Sequence, residues 1–132
     1  MPEPHRLTLR VYYEDTDLAG IVYHANYLKF IERARSEWVR TLGIDQSAMK
    51  AETGAVFAVA RIEADFLSPA RYDDLLEVRT RPVEASGARA VLVQEVWRDQ
   101  TRLFAARVTL AVIGASGRPA RMPPALRAAV GG

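Results

Sequence analysis

The sequence contains no cysteine, only two histidines, His5 and His24, and only two lysines, Lys29 and Lys50, among its 18 basic residues. Without cysteine there is no disulfide framework, no thiol nucleophile and no sulfur-ligated metal. One histidine in the body of the chain and scattered carboxylates do not make a metal-ligand set, so no metal is expected. Charge of one sign is also scarce: 18 basic against 16 acidic residues leave a formal net charge of +2. The sequence pI of about 9.2 reflects that slight arginine excess and does not argue for nucleic acid. The preference for arginine over lysine is read as compositional bias. No apolar stretch approaches the length needed to cross a membrane. Residues Met1 to Arg10 hold Pro, Glu and Arg where a secretory leader would carry an apolar run, so the expected compartment is the cytoplasm.

What is present is ordinary for a globular protein. At 132 residues, 49% hydrophobic and 26% charged, the chain has room for one domain, 1–132, around a single core. Leu7 to Tyr13 alternates Leu7, Leu9, Val11 and Tyr13 against Thr8, Arg10 and Tyr12, the period of a half-buried strand, while His5 falls in a terminus expected to fray. From about Asn26 to Leu42 the residues Tyr27, Ile31, Ala34, Trp38 and Leu42 recur at three- and four-residue steps, which predicts one long helix stopped by Gly43. Gln46 to Glu52 suits a short helix closed by Gly54. Val56, Ala58, Ala60, Ile62, Ala64 and Phe66 read as one face of a strand ended by Ser68-Pro69.

Leu75–Val83, Arg89–Trp97 and Leu103–Ile113 read as three further strands joined by hairpin-length turns. Pro123-Pro124 opens a small C-terminal cap, and Gly131-Gly132 is expected to fray. The order β–α–β–β–β–β gives an α+β domain, a curved five-stranded antiparallel sheet wrapped around one long central helix. One helix covers one face only. A strand as apolar as Phe104-Ala106-Val108-Leu110-Val112 therefore suggests self-association through sheet edges or faces.

The chemistry concentrates between Tyr12 and Tyr27, YYEDTDLAGIVYHANY. A carboxylate close to a helix start can attack an ester-like carbonyl or activate water, while helix-end N–H groups hold the developing oxyanion. Aspartate ahead of glycine equally suits an Asx turn, and Asp15 reads as a loop organiser that accepts backbone N–H groups. Asn26 suits the helix N-cap, and Trp38 the core. Glu32 reads as a solvated or salt-bridged position on the helix face.

The loop and helix, EDTDLAGIVYHANYLKFIERAR, resemble the hotdog-fold thioesterases of the 4-hydroxybenzoyl-CoA thioesterase type. Within these the pattern is most similar to the acyl-CoA thioesterase subfamily associated with the Tol–Pal system. The likeness rests on D-x-D-x-x-G-x-V-Y-H-x-x-Y from Asp15 to Tyr27, on the helix, on FLSPARYDDLLEVRT and on the later strand pattern, so it spans nearly the whole chain.

The resemblance implies a hotdog fold and hydrolysis of an acyl-CoA thioester, with no cofactor because coenzyme A is part of the substrate. It implies Asp17 as nucleophile or general base, His24 beside the reacting centre, and Gly20, Val22, Tyr23 and Tyr27 as oxyanion and pocket residues. His24 or Tyr23 matches the family's donor position. Arg61, Arg71 and Arg89 are candidates for the CoA phosphates, because arginine forks suit phosphate. The dense basic run of hydroxybenzoyl-type enzymes before the fourth strand is replaced here by Ser86-Gly87-Ala88-Arg89. Short to medium aliphatic acyl groups rank above aromatic ones.

The expected assembly is a homodimer or homotetramer with the site at a subunit interface. Three other readings stand beside this one: an acyl-acyl carrier protein thioesterase, an idle acyl-binding or scaffolding protein, and a hotdog dehydratase. The last fits poorly, since His24 and Asp17 share one loop.

Overall fold

A computed structural model describes residues 3–131. Gly132, one of the two glycines expected to fray, lies outside the described residues, whereas Gly131 ends the last helix. Five strands, β1 (His5–Arg10), β2 (Val56–Phe66), β3 (Leu75–Ser86), β4 (Arg89–Arg98) and β5 (Thr101–Ile113), form one antiparallel sheet in the order β1-β3-β4-β5-β2. The helices are α1 (Asn26–Thr41), α2 (Gln46–Thr53) and α3 (Pro124–Gly131). This is the expected α+β architecture, with α1 in the concavity of the sheet.

The apolar stripe of α1 decides its placement. Tyr27, Phe30, Ile31, Ala34, Trp38 and Val39 are buried and meet Leu76, Val78, Leu92, Val96, Phe104 and Val108 from the sheet. Burying a side chain of this size contributes roughly 1.5–3 kcal/mol, so the stripe fixes the helix on the sheet far more firmly than helix propensity would. Gly43 turns the chain out of α1 at φ +79° and Gly54 ends α2 at φ +74°, both in the left-handed region where a side chain is strained. Asp45 caps α2 by accepting from the Ala48 amide at 3.0 Å.

Five expectations need correction. His5 is not frayed: it begins β1 and pairs with Thr80, and the strand ends at Arg10 rather than Tyr13. The face assigned to β2 is split by a bulge between Val59 and Arg61. Phe57 and Val59 lie opposite the buried Val112 and Leu110, whereas after the bulge Ile62, Ala64 and Phe66 lie opposite Val108, Ala106 and Phe104. One extra residue flips the alternation, so Ala58 and Ala64 do not share a face.

Phe104, Ala106, Val108, Leu110 and Val112 are covered within the chain itself and give no reason for self-association. Asn26 is the first residue of α1 rather than its cap, because Ala25 holds that position. Its Nδ2 instead donates to the Asp15 carbonyl at 2.9 Å.

Candidate active site

The stretch between β1 and α1 is folded by its own polar groups. After β1 the chain makes a 3-10 turn at Tyr13–Asp15, and the buried Asp15 carboxylate accepts from the Tyr12 amide at 2.8 Å. The Asp15 carbonyl accepts from both the Tyr23 amide at 2.9 Å and Asn26 Nδ2. Asp15 thus clamps the two ends of the loop, as a loop organiser should.

Between the clamped ends, Asp17 to Gly20 forms a tight turn. The Gly20 amide donates to the Asp17 carbonyl at 3.0 Å, with Gly20 at φ +80°. The Asp17 Oδ1 accepts from the Ala19 amide at 2.9 Å, which is the Asx turn that an aspartate ahead of glycine favours. The Asp17 amide donates to Ile21 at 2.9 Å, Ile21 bridges to Arg71, and the Val22 amide donates to Ala70 at 2.8 Å. The loop is thereby laid against residues 70–71, next to the segment that leaves β2.

These two segments and the start of α1 enclose an open cavity of about 380 Å³ lined by Asp17, Ile21, Val22, His24, Tyr27 and residues 66–69. Four of the six loop residues singled out in the sequence, Asp17, Val22, His24 and Tyr27, share this lining. Gly20 acts on the turn, and Tyr23 is outside the lining, 45% exposed and tilted against the His24 ring at 4.6 Å. The opposite wall, Phe66, Leu67, Ser68 and Pro69, belongs to the FLSPARYDDLLEVRT stretch that carries part of the resemblance, but nothing in its sequence marks it as a pocket wall. Phe66 meets His24 edge-on at 6.1 Å and Tyr27 at 5.7 Å.

The backbone donors can be counted. The amides of Tyr23, Asn26, Tyr27 and Leu28 are taken by turn bonds of 2.8 to 3.4 Å. Among the described residues, those of His24 and Ala25 carry no hydrogen bond, and of the two residues His24 lines the cavity. Tyr27 is a packed wall residue. Its ring stacks on Phe104 at 4.9 Å, its hydroxyl accepts from the Ala70 amide, and burial raises its phenol above the usual value.

The three candidate phosphate arginines are not gathered within the chain. Arg61 is 70% exposed in its side chain on β2 and pairs with Glu63 at 2.9 Å, Arg89 starts β4 beside the β3–β4 hairpin, and Arg71 alone adjoins the loop. Among the described residues no three His, Cys, Asp or Glu side chains are grouped to hold a metal, and no helix is long and apolar enough to cross a membrane.

A curved antiparallel sheet around one long helix, with a polar loop feeding the helix start, is the hotdog architecture. A probable thioesterase from Bartonella henselae superposes with a TM-score of 0.87 at 37% identity, covering 91% of this chain and 99% of that one. The acyl-CoA thioesterase YbgC of Haemophilus influenzae is 40% identical over 122 residues, 92% of this chain and 90% of its own length. The acyl-CoA thioester hydrolase YbgC of Escherichia coli O157:H7 is 41% identical over 99 residues, 75% of this chain and 73% of its own. The family model of the thioesterase superfamily matches residues 19–105. The chain belongs to the thioesterase superfamily.

Proposed function

We propose that this chain hydrolyses acyl-CoA thioesters to a carboxylic acid and free coenzyme A. The reading is supported by one juxtaposition: Asp17, His24 and Tyr27 of the first turn of α1 line a single cavity, and the His24 and Ala25 amides at that helix start carry no hydrogen bond. A thioester carbonyl seated there meets the His24 and Ala25 N–H groups. These stabilise the charge that develops on its oxygen as the carbonyl carbon becomes tetrahedral. Asp17 either attacks that carbon, giving a mixed anhydride that water then opens, or removes a proton from the attacking water.

In both routes the C–S bond breaks, the sulfur leaves with the bonding pair and takes a proton, and the acyl group gains the oxygen of water. On this reading His24 protonates the departing sulfur and regains a proton from the water that is consumed. The reaction so written needs only water besides the substrate. Val22 and Tyr27 wall the acyl group and Gly20 shapes the turn, with Tyr23 packed against His24 from outside. Arg71 is the phosphate contact nearest the loop, while Arg61 and Arg89 would have to act from a second subunit.

Assembly as a homodimer, or a homotetramer built from it, fits the same site. The outer edge of β2 is unpaired within the chain, and Val59 and Phe66 on it are 45% and 55% exposed. Antiparallel self-pairing about a two-fold axis lays the Val56 end of one β2 beside the Phe66 end of the other, which puts a second subunit at the cavity mouth. Short to medium aliphatic acyl chains suit the apolar wall, and the working compartment is the cytoplasm.

The test is thiol release from a panel of aliphatic and aromatic acyl-CoA esters, with Asp17→Asn in parallel. Turnover that collapses in the folded variant supports the assignment. Turnover surviving Asp17→Asn overturns the mechanism, and a folded protein inert on every CoA ester overturns the substrate class and favours an acyl carrier protein substrate or a binding role.

A further inference from the structure

Tyr13 and Tyr72 form a flat stack on the surface, with ring centroids 4.4 Å apart and planes 14° from parallel, yet they remain 79% and 48% exposed. Single exposed aromatics are commonplace, but a pair held face to face beside a third exposed ring, Tyr12 at 60%, is a built apolar surface without cover. Both partners sit on braced turns. Tyr13 opens the 3-10 turn closed by the Asp15 carboxylate on the Tyr12 amide. Tyr72 lies in the turn in which the Asp74 Oδ2 accepts from the Arg71 amide at 2.8 Å and from Arg98 Nη1 at 2.7 Å, with Asp73 at φ +71°. Arg10 fixes the same turn by donating to the Asp73 carbonyl at 2.8 Å. A depression of about 410 Å³ opens alongside the stack, with Val11, Glu14 and Asp73 among its walls.

The platform is joined directly to the candidate active site. Tyr13 precedes Asp17 by four residues, and Tyr72 follows Arg71, whose backbone bridges to Ile21 across from Asp17. Among the described residues Arg71 has no carboxylate partner, so its guanidinium is free to meet an anion.

We propose that the Tyr13–Tyr72 stack is the seat of the adenine ring of coenzyme A, with Arg71 receiving a phosphate between that ring and the reacting thioester. This deepens, and rests on, the acyl-CoA reading above. The base lies on the open outer face of Tyr13, because Tyr72 covers the inner one. Stacking on a rigid aromatic tolerates an exposed site, since little side-chain freedom is lost on binding. Glu14 offers an acceptor to the exocyclic amine of adenine. Asp73, the other acid of the depression, is already held by Arg10 at 3.5 Å and does not oppose the phosphates with a free charge.

The test uses the full chain and two arms. In the first, adenosine 3′,5′-bisphosphate is titrated by calorimetry, with no turnover required. Wild type and Tyr13→Phe should bind alike, while Tyr13→Ala and Tyr72→Ala weaken binding by about tenfold, the scale of one stacked base. In the second, kcat/KM is compared for one acyl group on CoA and on pantetheine. The about tenfold loss in Tyr13→Ala should be confined to the substrate that carries the nucleotide.

Equal binding by the wild type and the alanine variants, or no binding at all, overturns the proposal. So does an equal loss on both substrates, above all if light scattering shows a changed assembly, because the patch is then an interface between copies. If no thioester is turned over, the acyl-CoA reading fails by itself, and the calorimetric arm still decides the platform.

Discussion

The Tyr27 hydroxyl accepts a hydrogen bond from the Ala70 amide at 3.1 Å, tying the first turn of α1 to the segment that carries the far wall of the cavity. Ala70 is fully buried, so its N–H has no access to solvent if the phenol is removed. Tyr27→Phe keeps the stack on Phe104 but orphans that donor, and should cost about 1–3 kcal/mol in urea unfolding. A cost of only a few tenths would mean that water reaches Ala70 and that the bond does not hold the wall.

Much of this architecture was legible because it rests on local periodicity. The α1 stripe and the Gly43 and Gly54 stops fall within a residue or two of the observed elements. What was not legible depends on partners distant in the chain. The bulge at Val59/Arg61 shows only against β5, and the edge pairing that orders His5 needs Thr80 on β3. The Phe66–Pro69 wall carries family likeness but no sign of a pocket in its sequence, and it is laid beside the loop by the bond from the Val22 amide to Ala70. The role of Asn26 is hidden for a similar reason: its side-chain amide reaches back eleven residues to the Asp15 carbonyl, where a cap would act locally.

The two aspartates of the loop should separate cleanly. Asp17→Asn can still accept the Ala19 amide through its side-chain oxygen, so the turn persists while the carboxylate is lost. Thiol release should fall by about 10²–10⁴-fold with an unchanged unfolding midpoint. Asp15→Ala instead removes the acceptor of the Tyr12 amide and should cost about 1.5–3 kcal/mol. A variant at position 15 that retained full stability but lost turnover would reverse the assignments.

Acid sensitivity should trace in part to Glu77. A hydrogen bond from Arg79, with further attraction from Arg6, holds its carboxyl below the usual value despite partial burial. A depressed folded-state value means the stabilisation is present above about pH 4.3, the ordinary glutamate value, and is lost as pH falls through the folded one. The stability gap between wild type and Glu77→Gln, followed by thermal unfolding from neutral pH downward, should therefore shrink in acid. A gap that stays constant would show that this pair contributes nothing through its charge.

Assembly through β2 has its own test. A lysine at Val59 places a charge on the edge that self-pairing would cover, in a residue already 45% exposed in the single chain. Val59→Lys should fold normally and run as a smaller species by light scattering, with reduced turnover if the second subunit completes the cavity. An unchanged mass would move the interface elsewhere.

Gln94 is a fully buried amide beneath α1. Its Nε2 donates to the Ile31 carbonyl at 2.8 Å and to Thr80 Oγ1 at 2.9 Å, while its Oε1 accepts from Arg35 Nη1 at 3.0 Å. Burial lowers the Arg35 value, an effect that Glu32 opposes, yet arginine keeps its charge throughout the neutral range. Gln94→Leu therefore removes the acceptor of a half-buried guanidinium and strands the fully buried Thr80 hydroxyl, and should cost about 1–3 kcal/mol, independent of pH near neutrality.

Replacing the whole group by apolar residues of like shape, Gln94→Leu with Arg35→Met and Thr80→Val, removes the stranded groups along with their partner and should recover most of that loss. If stability returns in the triple variant but turnover does not, the network serves to aim the helix start at the cavity rather than to hold the fold. If both return, apolar packing alone sets the position of α1, and the polar layer has no part in orienting the site.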